Sequence, residues 1–259
     1  MRSLEAFLIA AACCVGAVAP AAAQSQINTS MTHFTYTLTD LDLTDGITPS
    51  LIFEAPTTDA ASYAAIGDPS SSAVDYGTYA FEPVAASLST PELTGSASVS
   101  GSISANLALN TDLATNTPAG RMPSAVANVS SGYLGFVLSP MTAVSFLVDV
   151  STDLAVGQYP FFAGDPAGFS AASLFLTPSI GEGAPGLIAS NSFFVRPGSE
   201  LSDDVTLQLT QSNALSSTVS GYLNAYIQIG VVPEPSTWLM LLAGASVLFL
   251  TARRARKYP

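Results

Sequence analysis

A two-residue alternation of apolar and polar side chains runs through this chain and confines it to β-sheet. Phe34, Tyr36 and Leu38 alternate with Thr35, Thr37 and Thr39. Ala97, Val99, Ile103, Ala105, Leu107 and Leu109 alternate with Ser96, Ser98, Ser100, Ser102, Ser104 and Asn106. Val144, Phe146, Val148 and Val150 make a third set, and Val205, Leu207 and Leu209 a fourth. In the fifth, Val219, Leu223, Ala225, Ile227 and Ile229 alternate with Ser220, Tyr222, Asn224, Tyr226 and Gln228. Successive side chains of a strand point to opposite faces, so each run sets one row in a core and the other in water. Shorter candidate strands lie at 50–54, 133–138, 172–176 and 192–196. Turn-forming groups separate them: Asp45-Gly46, Gly67-Asp68-Pro69, Gly164-Asp165-Pro166 and Pro197-Gly198. No amphipathic helix of ten or more residues is legible between Gln24 and Val231. About nine strands without intervening helices predict an all-β body, an antiparallel β-sandwich or jelly-roll-like fold, with a rolled or partly open barrel as the alternative. The Ser-rich stretch 96–104 reads as one strand bent at Gly101.

Charge narrows the partners. Between Gln24 and Val231 there are two basic residues, Arg121 and Arg196, against seventeen acids, a net of −15. Such a body repels phosphate backbones and anionic headgroups, which argues against nucleic-acid binding and favours cations or neutral glycans. The only cysteines, Cys13 and Cys14, lie in the first apolar run. The body therefore has no disulfide, thiolate nucleophile or cysteine-held metal.

Both ends carry addresses. Arg2, an apolar run from Ala6 to Ala19, Pro20 and then Ala21-Ala22-Ala23 have the layout of a secretory signal, residues 1–23, cleaved at the Ala21–Ala23 site. At the other end, residues 236–252 are long enough to span a bilayer as a helix, at the lower limit of length. Trp238 stands where an interfacial anchor belongs, and Leu241, Leu242, Gly244 and Leu248 lie within the span. Arg253, Arg254, Arg256 and Lys257 follow at once and place the C-terminus in the cytoplasm. Pro233 and Pro235 stop a helix from extending backwards.

Val232-Pro233-Glu234-Pro235-Ser236, the Trp-led apolar span and the terminal basic cluster resemble the PEP-CTERM sorting domain, over residues 232–257. The resemblance implies recognition of Pro233, Glu234 and Pro235 by an exosortase, a membrane transpeptidase-like enzyme. It implies export by the Sec machinery across the inner membrane of a Gram-negative bacterium. A transient anchor in that membrane would precede delivery to the cell surface or the extracellular matrix. It also implies an exopolysaccharide and biofilm setting. It says nothing of what the body, residues 24–231, does.

Within the body, candidate chemistry is sparse. Asp40, Asp42 and Asp45, followed by Gly46, suggest a calcium loop, but Thr44 and Leu51 occupy places where an EF-hand needs ligands. They read first as an acidic strand end entering a turn. His33 is the only histidine and no Gly-x-Ser-x-Gly elbow exists, so a Ser–His–Asp triad has no support and His33 reads as an exposed strand-end residue. Asp203-Asp204 reads as a solvated turn before the strand at Val205. Tyr222 and Tyr226, four apart on a polar strand face, could form a sugar-stacking platform. The expectation is a non-enzymatic exported protein without a required cofactor, associated with exopolysaccharide. The alternatives are a glycan- or calcium-binding module, or an enzyme acting on polysaccharide.

Overall fold

The computed structural model describes residues 23–54, 61–68, 70–102, 105–117, 124–157, 168–178 and 187–231. Residues 1–22 of the signal segment, the apolar span, the basic cluster and the Pro233–Pro235 element lie outside them. The described residues contain strands and no helix, and so no helix long and apolar enough to cross a membrane.

Fourteen strands follow in chain order: β1 (Ala23–Asp40), β2 (Leu51–Phe53), β3 (Tyr63–Gly67), β4 (Ser72–Tyr76), β5 (Val84–Ser89), β6 (Leu93–Ser102), β7 (Ala105–Thr117), β8 (Ala125–Ser130), β9 (Leu134–Leu138), β10 (Thr142–Ala155), β11 (Gly168–Pro178), β12 (Leu187–Val195), β13 (Glu200–Asn213) and β14 (Val219–Val231). They form two antiparallel sheets. One has the order β13-β10-β1-β7-β6-β5 and the other β12-β11-β14-β8-β3-β4, with β9 joined to β14 and β2 to β9. The sheets face each other across one core, as in a sandwich. Ile27, Leu113, Phe146 and Val150 on one side meet Val129, Leu174, Leu223 and Ile227 on the other, all essentially buried. An aromatic cluster lies within it, with Phe136 edge-on to Phe146 at 5.7 Å and Phe34 at 6.1 Å from Phe146. Along the flanks the outermost strands touch. Asn191 of β12 donates to Asp203 of β13 at 3.3 Å, and the amide of Ala85 in β5 donates to Asp75 of β4 at 2.9 Å.

Three sequence expectations change. The run 96–109 is a hairpin rather than one bent strand: β6 pairs with β7 from Leu93↔Thr115 to Ser102↔Ala105. Gly101 and Asn106 take positive φ, 77° and 52°, beside the reversal. Asp203 and Asp204 lie inside β13 rather than in a turn before it, paired with Thr152 and Ser151 of β10. An edge strand can carry them because water reaches its free side. His33 is not at a strand end. It lies within β1, where the register with β10 shifts between Thr32 and Thr35, and its φ is 53°. Before this bulge odd-numbered residues face the core (Ile27, Met31), and after it even-numbered ones do (Phe34, Leu38).

The two ends of the body meet at one end of the sandwich. Val231, the last residue of β14, pairs with Gly168 and Ala125. A Cβ on Gly168 would press on Val156 and Ile27, and one on Gly157 would meet the backbone of Gln24. The turn after Asp40 lies at the opposite end, where Leu41 donates to Met141 and Ser139 to Ser50.

Candidate functional site

The two outer faces differ in chemistry. On the six-stranded sheet the outward positions carry Asp112, Asp149, Asp153, Glu200 and Asp204 among Ser, Thr, Asn and Gln. Burial raises the ionisation of Asp112 above the usual carboxylate range. On the other sheet, the outward positions of β3, β8, β9, β11, β12 and β14 hold no charged residue. Aromatic side chains are concentrated there.

The strand pairing explains how tyrosines gather. Ser130 of β8 is the register partner of both Tyr226 on β14 and Tyr63 on β3, and Tyr63 is the partner of Tyr76 on β4. Tyr76, Tyr63 and Tyr226 therefore form one row across four adjacent strands. At about 4.8 Å per strand the row spans roughly 14 Å. The rings of Tyr63 and Tyr76 are 6.3 Å apart and inclined by 40°. Tyr76 is 71% exposed. Tyr226 is half-buried and donates to Asn128 Oδ1 at 3.1 Å. Burial, with the Tyr63 phenol beside it, pushes its ionisation well above the ordinary tyrosine range. Asn128 and Gln228 lie in the neighbouring row, in register with each other.

Tyr222 lies on the same face, as its polar-face position predicts, and is exposed. It stands apart from the row, opposite Gly135 and Thr177. A Cβ on Gly135 would collide with the Glu54 carboxylate, so Glu54 is the acid that overlies this edge of the face. Toward the other end, Phe169 lies over Gly230, which leaves room for the ring only because it has no side chain. Phe194 stacks 6.2 Å from Phe169 and is 68% exposed. Sequence reading found Tyr222 and Tyr226 but not Tyr63 or Tyr76. The signal was present in the alternation Tyr63, Ala65 against Ala64, Ile66, followed by the Gly67–Ser71 turn. There Asp68 accepts from the amides of Ser70 and Ser71.

The other candidates are placed as follows. Asp40, Asp42 and Asp45 each accept from a backbone amide two residues on, those of Asp42, Thr44 and Ile47. Thr44 Oγ1 also donates to Asp42 at 2.6 Å, and these bonds hold Asp42 below the usual carboxylate range. The three carboxylates thus shape successive Asx turns. Among the described residues no three His, Cys, Asp or Glu side chains gather as a metal site. His33 Nδ1 is 3.3 Å from Asp149 in a shallow cleft lined also by Ser151, Asp204 and Thr206. The imidazole is 80% exposed there, so nothing excludes water from it or holds its ring against a nucleophile.

Comparison with known proteins places one part of the chain. No curated protein and no solved structure matches it. The match that exists begins where the fold ends: Val231, buried at the end of β14, is its first residue. Residues 231–257 match the PEP-CTERM protein-sorting motif, so the chain carries the tail of an exported protein sorted by an exosortase.

Proposed function

We propose that this protein is a non-enzymatic component of the cell surface or extracellular matrix, released there by exosortase processing and associated with exopolysaccharide. The observation that carries the reading is the junction at Val231: the sorting motif starts on the last residue of a central strand of the sandwich. The tail serves as the temporary membrane handle and the sandwich as the cargo. A cargo of net charge −15 stays soluble and avoids anionic lipid once released. The outward positions of β3, β8 and β14, which carry no charge, are compatible with a hydrated, neutral polymer.

The test is made in the native host. In cells with the exosortase, the protein should fractionate with the matrix and co-sediment with purified exopolysaccharide. In cells lacking the exosortase, it should accumulate in the inner membrane with its tail attached. An unchanged distribution between the two strains, or no co-sedimentation with the polysaccharide, would overturn the proposal.

A further inference from the structure

We infer that the row Tyr76–Tyr63–Tyr226 on the outer face of the eight-stranded sheet is a docking strip for a neutral polysaccharide chain laid across the strands. The inference rests on the proposed exopolysaccharide association and assigns it a place and a ligand class.

Three observations carry it. First, the row is made of phenols. The axial C–H bonds of a sugar ring carry partial positive charge and stack on the negative face of an aromatic ring, while phenol hydroxyls reach the sugar's own hydroxyls. Second, the polar groups beside the row are neutral amides, Asn128 and Gln228, each able to donate and accept. Asn128 already orients the Tyr226 hydroxyl at 3.1 Å. Third, charge selects among polymers. No outward residue of β3, β8 or β14 is charged, so nothing on this face pairs with a uronate or phosphate. The body's net charge of −15 repels an anionic chain. A cationic polymer would go to the opposite face, where Asp112, Asp149, Asp153 and Asp204 lie. A neutral glycan is the polymer that gains on this face and loses nothing to repulsion.

The experiment measures retention of the purified body, residues 24–231, on cellulose, curdlan and galactomannan as neutral polymers, on polygalacturonate as an anionic one, and on the host's own exopolysaccharide. The body is expected to be retained on at least one neutral polymer and on the host exopolysaccharide, but not on polygalacturonate. Tyr76→Ala, at an exposed position that leaves the core intact, should weaken retention on the order of ten-fold. Asp153→Asn on the opposite face should leave it unchanged. Circular dichroism and the melting temperature confirm that both variants fold. Retention on the host polysaccharide that Tyr76→Ala does not weaken would overturn the site and leave the association standing. Preference for polygalacturonate would overturn the ligand class. Absence of retention on every polymer would overturn the association itself. A dimer in solution that Tyr76→Ala dissociates would show that the strip binds a second copy of the chain, and would equally overturn the inference.

Discussion

Asn224 closes a gap in the sheet that carries the tyrosines. Strand β14 passes from β9 to β8 between Leu223 and Tyr226, and Asn224, 4% exposed, bridges the break. Its amide donates to Ser130 Oγ and to the Gly132 carbonyl, both at 2.9 Å. Asn224→Leu keeps the volume but strands those acceptors, and should cost about 1–3 kcal/mol in denaturant unfolding. Thr115 shows the opposite case. Its hydroxyl is buried without a hydrogen-bond partner, so Thr115→Val should be neutral or stabilising by up to roughly 1 kcal/mol. Tyr226 supplies a spectroscopic check. Its ionisation lies above that of an unfolded tyrosine, so the stability it contributes is complete below the ordinary tyrosine range and is lost as pH rises through its own higher value. In an alkaline absorbance titration one of the nine tyrosines should ionise late. That late step should vanish in Tyr226→Phe; its persistence would mean another phenol is responsible.

At the scale of strands, the alternating pattern revealed composition of faces better than the path of the chain. The hairpin β6–β7 reads as a single strand because its reversal preserves parity: Ala97 and Val99 point inward, and so do Leu107 and Leu109. Period-two arguments cannot see a turn that keeps the phase. The bulge in β1 is the converse. There the phase does change, between Met31 and Phe34, and the change was legible in the residues once both halves were read together. The short strands β3, β4, β5 and β8 were missed because they are brief and rich in Ala and Ser, which carry little strand signal. With them went two of the three tyrosines of the row. Deleting His33 tests the bulge directly. Without the extra residue Met31, Thr32, Phe34 and Thr35 alternate without a break, so Ile27, Met31, Phe34 and Leu38 all keep their places in the core. The deletion should therefore retain cooperative unfolding, as should His33→Gly, which suits the positive φ; loss of the cooperative transition on deletion would show that the two halves of β1 are not held in phase by a single extra residue.

For the whole molecule, the informative feature is polarity in two senses. One outer sheet is acidic and the other aromatic, with Glu54 the acid at its β9 edge. Along the strands, the tail root at Val231 and the start of the body at Gln24 share one end, while the Asp40–Ile47 turns occupy the other. β14 has thirteen residues, so the turns stand about 40 Å from the tail root along that strand. A peptide tag placed at Leu43, which is 87% exposed, should be tolerated without loss of stability and without loss of processing, as immunoblotting would read. The sorting class was legible in the sequence because Pro233, Glu234, Pro235, the apolar span and the basic cluster are local signals. The tyrosine row was not, because Tyr226 of β14 reaches Tyr63 and Tyr76 of β3 and β4 only through the pairing of both β14 and β3 with β8.

The central claim is that the tail is a removable handle on an exported sandwich, and the intact mass of the protein recovered from the matrix of the native host tests it most directly. The account predicts a chain that begins at Gln24 and lacks Arg253–Lys257. A full-length chain of 26.5 kDa recovered from the cytosol would contradict it.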